Sequence, residues 1–157
     1  MIRNFGVGLV LLIASALLFP VNAHAANALG IDAVRLVDDN QDDGMFNLFF
    51  QHGLTRLSAL HVGYSSGDDT SIIDVSWKRY LDRYYSGMFV QLGGGYYDGN
   101  DSEIGITVAL GYERMINRSF VMNFAAKAVF VDVDEDIGLA YGDDPVFQPV
   151  VSFMFAF

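Results

Sequence analysis

The sequence predicts an all-β fold, an eight-stranded antiparallel up-and-down transmembrane β-barrel, preceded by an export signal. Three observations carry that prediction. Of the 157 residues, 52% are aliphatic or aromatic, with 13 Phe and 8 Tyr, yet acidic residues outnumber basic ones 19 to 9. Apolar side chains recur at every second position through most of the chain, the period of a strand with one apolar face. The connections alternate as well, long acidic ones taking turns with tight ones that carry arginine.

The same composition removes several classes. The length suits one domain. With no Cys there are no disulfides, thiolate metal sites or cysteine nucleophiles, and 3 His leave little for a histidine cage, so no metal and no other cofactor is expected. A net charge of -10 argues against nucleic acid, itself a polyanion.

In chain order, Arg3 precedes an apolar run from Phe5 to Phe19, followed by Pro20 and the small-residue pattern Ala23-His24-Ala25. This is the layout of a secretory signal, too short for a membrane span, so residues 1–25 are expected to be cleaved and residues 26–157 to form the barrel. The first strand is placed at Gly30 to Val37, with ambiguous phase because Asp32 and Arg35 fall on opposite faces. In the second, Phe46, Leu48 and Phe50 alternate with Asn47, Phe49 and Gln51. The third sets Leu60, Val62 and Tyr64 against Ala59, His61 and Gly63, and the fourth sets Ile73, Val75 and Trp77 against Asp74, Ser76 and Lys78. Met88, Val90, Leu92 and Tyr96 alternate with Phe89, Gln91, Gly93, Gly95 and Tyr97 in the fifth. The sixth is the clearest, Ile104, Ile106, Val108, Leu110 and Tyr112 against Gly105, Thr107, Ala109, Gly111 and Glu113. Phe120, Met122, Phe124 and Phe130 oppose Asn123, Ala125 and Lys127 in the seventh. In the eighth, Phe147, Pro149, Val151, Phe153, Phe155 and Phe157 oppose Gln148, Val150, Ser152, Met154 and Ala156.

Long connections at Asp38 to Gly44, Ser65 to Thr70, Asp98 to Ser102 and Asp132 to Pro145 hold most of the acid. Arg56, Arg79, Arg83, Arg114 and Arg118 cluster instead at tight turns near Gly53, Asp82 and Asn117. An up-and-down meander therefore has one acidic and one basic end. Alternation alone does not say which face is outside. The less apolar face carries Gly, Ala and sparse charges, a poor coat against water but suited to the cramped interior of a small barrel. Aromatics mark both ends of the apolar bands, Phe46, Tyr64, Tyr96, Phe130 and Phe147 beside the long loops and Trp77, Tyr112, Phe120 and Phe157 at the other end, as two interfacial girdles require.

With its signal, eight alternating strands and final Ser152-Phe153-Met154-Phe155-Ala156-Phe157, the chain resembles the small eight-stranded outer-membrane barrels of Gram-negative bacteria, the OmpX and OmpA-transmembrane type. Phe153, Phe155 and the terminal Phe157 resemble the barrel-assembly signal. The resemblance covers residues 26–157 and implies a bacterial outer-membrane location, contact with outer-membrane lipid and lipopolysaccharide, handling by the barrel-assembly machinery, a monomer, and a non-enzymatic role in envelope structure or surface interaction. Pro149 departs from the pattern. It has no N–H for a ladder and must sit at a bulge, beyond the ladder or facing an unpaired position near the loop end.

The inward residues are the candidate site. Taking each connection's centre as its turn sets Asn47 opposite His61, His61 opposite Asp74 and Asp74 opposite Gln91, a polar row across four strands. Lys127 is expected to reach in over the gap left by Gly95 and Gly105, and Lys78 and Glu113 share the interior nearer the basic end. One reading is a His-Asp dyad awaiting a Ser, or an ion path. The favoured one is a self-satisfying plug with no catalytic residue, because buried polar groups must be paired in any case. Asp38 to Gly44 has the oxygen-rich look of a calcium loop, with Asp39, Gln41, Asp43 and Gly44 at EF-hand offsets, but the closing position is Phe50. Solvated loops are preferred there, with divalent cations bridging the carboxylates to lipopolysaccharide phosphates as the alternative. Ile137, Leu139, Ala140 and Tyr141 in the longest loop suit either a cap on the barrel mouth, the preferred reading, or contact with a partner. The competing functions are an outer-membrane lipid-modifying enzyme, a small-solute pore and a soluble barrel.

Overall fold

A computed structural model of the chain describes residues 27–37, 44–67, 70–99, 102–131 and 145–157. The expected signal, the acidic segment 38–43 and the 132–144 stretch with its proposed capping residues lie outside them. Eight strands close into an antiparallel barrel in chain order. They are β1 Asn27–Asp32, β2 Phe46–Thr55, β3 Ser58–Ser66, β4 Ser71–Tyr80, β5 Ser86–Asp98, β6 Ser102–Met115, β7 Phe120–Phe130 and β8 Val146–Ala156. A single helical turn, α1 Ala33–Leu36, follows β1. The four connections with the acidic clusters leave from one end of the barrel, here the loop end. The three tight turns and the β1/β8 termini share the other, the turn end.

Strands β2 to β8 keep the faces their alternation specifies. Outward, Leu92, Ile106 and Leu110 are 54%, 59% and 52% exposed, while inward Lys78 and Glu113 are 1% and 0% exposed. All nine girdle aromatics lie on the outer face or at its margin. Apolar packing inside is confined to layers near the ends: Met45, Ile72, Tyr97, Val129, Val131 and Val146 toward the loops, and Phe49, Tyr85, Val121 and Met154 with Tyr80 and Phe89 toward the turns. Small residues are needed below the large rings. A Cβ on Gly111 would lie 2.7 Å from the Ala125 methyl and closer still to the Phe89 ring.

The first strand differs from expectation. It begins earlier, at Asn27, and ends at Asp32, where the chain turns into α1 and does not continue extended to Val37. The cause is Asp32. Its carboxylate accepts from the Val34 N–H at 3.0 Å, capping the helical turn, and from the Val151 N–H of β8 at 3.3 Å, replacing the next rung of the ladder. Asn47 fixes the same point from β2, its amide donating to the Asp32 carbonyl at 2.9 Å and its Oδ1 accepting from the Asp32 N–H at 2.5 Å. Gly44 returns the chain with φ +75° and its α-carbon against the Leu36 carbonyl, where a side chain has no room. The turn carries Arg35 into the barrel mouth, so the phase conflict between Asp32 and Arg35 is resolved by a change of conformation between them.

That early end also accommodates Pro149. The Val151 N–H points toward β1, so the ring nitrogen of Pro149, two residues back on the same strand, faces the same side. By then β1 has ended, since its last partner pair is Asp32 with Ser152. Pro149 therefore faces no strand on that side and costs no ladder hydrogen bond.

The tight turns fall beyond the positions marked by Gly53 and Asp82. Arg56 and Leu57 join β2 to β3, with a register shift between Gly53 and Thr55. Residues 81–85 join β4 to β5 and the chain reverses at Tyr84 and Tyr85, inside the Arg83–Ser86 bridge, Tyr85 taking φ 59°. The seam is closed by reciprocal bonds between the ends, Asn27 N–H to Phe157 O at 3.0 Å and Phe157 N–H to Asn27 O at 2.9 Å.

Candidate functional site

Because the turns lie further along the chain than their sequence markers, the expected polar row is not formed as a row. Asn47 pairs with Ser65, and His61 stands between Gln51 and Ser76. Asp74 stands between Gly63 and Gly95, and Gln91 opposite Lys78. The displacements are even in number, so each side chain keeps its inward face while its neighbours change. The interior divides into a sealed cluster and a chamber.

The cluster lies nearer the turn end. Lys78 Nζ is ion-paired with Glu113 Oε1, donates to Gln51 Oε1 at 2.8 Å and sits 4.2 Å over the Phe89 ring. Tyr80 donates its hydroxyl to the second Glu113 oxygen at 2.6 Å and accepts from Gln51 Nε2 at 3.0 Å. Both oxygens of the carboxylate and both ends of the Gln51 amide are engaged, as a charge pair out of reach of water requires. Below it, Tyr84 stacks on Tyr85 at 3.9 Å and meets Tyr80 edge-on at 5.3 Å, closing the turn end with aromatic rings. Burial raises both turn phenols above their ordinary ionisation range, so both are neutral.

The chamber occupies the middle of the barrel toward the loops. It has a volume of about 50 Å³ and is walled by Asp32, Arg35, Asn47, His61, Asp74, Gln91, Asn123 and Lys127. Two cations and two carboxylates thus face a space fit for a few waters. Arg35 spans its mouth, donating to the Ser65 hydroxyl and, at 3.4 Å, to Gln148 Oε1. His61 Nε2 lies 3.6 Å from Asp74 Oδ1, and the His61 ring stacks on Phe49 with centroids 4.7 Å apart. His61 Nδ1 and Asn123 Oδ1 have no hydrogen-bond partner among the described residues. Gln91 donates to Ser76 Oγ at 2.5 Å.

The gap at Gly95 and Gly105 is not where Lys127 goes. The Tyr97 ring and Val131 fill it, so that a Cβ on Gly95 would lie 2.9 Å from Tyr97 and one on Gly105 2.8 Å from Val131. Lys127 instead stands between Ala109 and Gln148 and faces the chamber. Of the expected interior residues, the structure joins Lys78 with Glu113 and His61 with Asp74, and puts Asn47, Gln91 and Lys127 on the chamber wall with that second pair. Gln51, inward by alternation but not singled out as a site residue, joins the sealed cluster with Tyr80, while Asp32 and Arg35, whose phase the sequence leaves open, line the chamber. Asp32 followed by Ala-Val-Arg-Leu is a readable helix start, and it would have moved Arg35 off the strand.

Among the described residues no group of three or more His, Asp or Glu is arranged to hold a metal ion. The calcium-like segment lies outside those residues apart from Gly44. No family model and no curated protein matches the chain.

Proposed function

We propose that residues 26–157 form a monomeric, non-enzymatic barrel of the bacterial outer membrane that contributes to envelope structure or surface interaction. One observation carries the reading: the outer wall is continuously apolar with aromatics at both margins, while ions and amides are turned inward. A wall of that kind is stable against hydrocarbon and costly against water. Strands β2 to β8 are 9 to 14 residues long, enough when tilted to cross an apolar band of about 25 Å. In this orientation the arginine-bearing turns face the periplasm and the acidic connections face outward, where divalent cations offer a bridge to lipopolysaccharide phosphates.

Fractionation tests the reading directly. The expressed chain is expected in the outer-membrane fraction, beginning at Ala26 by N-terminal sequencing and migrating differently on gels before and after boiling. A periplasmic, heat-indifferent protein would contradict it. A plugged lumen is a second expectation, because the Lys78–Glu113 cluster and the Tyr84–Tyr85 stack obstruct the turn end. Planar bilayers containing the purified barrel should show negligible single-channel conductance, and stable large steps would exclude the plug.

A further inference from the structure

We propose that Arg83, Ser86 and Arg114 form a site on the outer wall for the phosphate of an anionic phospholipid in the leaflet at the turn end, which rests on the membrane reading above. Arg83 bridges to Ser86 across the Tyr84–Tyr85 turn, and Ser86 pairs with Arg114 of β6. Residues paired across antiparallel strands point to the same face, so the three stand in one lateral row. Adjacent strands are about 4.8 Å apart, which roots the two arginines roughly 10 Å apart with only a Ser side chain between them. Two long guanidinium side chains rooted on either side of one hydroxyl can both reach the several acceptor oxygens of a single phosphodiester.

Both arginines are exposed. No ion pair joins either to a described residue, and Asp82, the neighbouring carboxylate, is bonded to neither. The next outward row toward the barrel's middle is Met88 paired with Tyr112, 47% and 44% exposed. The row therefore offers cationic donors at the margin and an apolar, aromatic surface immediately above. That sequence of surfaces fits a molecule with an anionic head and a hydrocarbon tail, and it decides for a lipid over a free anion.

The test uses the mature chain folded into phosphatidylcholine vesicles containing spin-labelled phosphatidylglycerol or spin-labelled phosphatidylcholine. The motionally restricted fraction at the protein surface gives the relative association of the two. Phosphatidylglycerol should be preferred roughly fivefold or more, the size set by about 1 kcal/mol for a basic residue at an anionic surface. The preference should fall toward unity in Arg83→Gln/Arg114→Gln and persist in Arg83→Lys/Arg114→Lys and in Arg56→Gln/Arg118→Gln, whose arginines sit in other turns. The gel shift on boiling establishes that each variant is folded. Insertion without lipid preference, or equal loss in every variant, overturns the site and leaves the membrane reading standing. A preference abolished by inorganic phosphate but not by sodium chloride of equal ionic strength assigns the row to a free anion and also overturns the lipid. A chain that stays outside both kinds of vesicle overturns the membrane reading, and the site with it.

Discussion

Lys78→Met alone is expected to lower the unfolding free energy of the barrel by about 3–5 kcal/mol, read by urea titration in vesicles. The substitution keeps most of the side chain's volume and its contact with Phe89. What it removes is the only cation bonded to Glu113 among the described residues, at a carboxylate 0% exposed. The carboxylate would then keep the Tyr80 hydroxyl alone, and the Gln51 oxygen would lose its donor. Glu113→Leu alone should cost a similar amount by stranding the ammonium. The double variant Lys78→Met/Glu113→Leu should recover most of the loss, because it strands neither charge. Single variants as stable as the parent would mean that water reaches the pair and that the turn end is not sealed.

Leu92→Arg is expected to cost about 2–4 kcal/mol in the lipid-embedded barrel, the range for a basic side chain near the midplane of a bilayer. Leu92 lies midway along β5, outward, 54% exposed, with Trp77 and Val108 on its two flanks. Its half-exposed side chain makes few contacts within the protein, so a wall facing water would tolerate arginine within about 0.5 kcal/mol. The size of the effect therefore reports the solvent. Leu92→Met, apolar and of similar volume, should be near neutral in either case and controls for packing. A neutral Leu92→Arg in vesicles would sink the proposal that this wall meets hydrocarbon.

Parity was legible in the sequence, and register was not. A two-residue period assigns faces from side chains alone, so Asn47, His61, Asp74, Gln91, Lys127, Lys78 and Glu113 could be assigned inward without knowing any pairing. Pairing depends on where each turn closes. Gly53 and Asp82 carry the usual chemistry of turns, yet the chain turns at Arg56–Leu57 and Tyr84–Tyr85. Gly53 is left inside β2 next to a register shift, and the tyrosines take the turn because their rings find a packed position beneath Tyr80. Tertiary packing there outweighs local preference. The chamber was hidden for a related reason. Its mouth is set by Arg35, whose position depends on a single helical turn too short for a periodicity to announce.

The bonds between Asn27 and Phe157 mark the one pairing of this barrel that chain neighbours do not make. Seven of the eight strand pairs join neighbours in the chain and can zip together as hairpins. The eighth, β1 with β8, joins segments more than a hundred residues apart, and β1 brings only its six residues to it. Until the last strand arrives, β1 and the growing edge are both unpaired backbone, the most aggregation-prone feature a sheet has. Closing the seam thus carries the largest chain-entropy cost of the eight pairings, and a sheet without it has two adhesive edges in place of a closed wall.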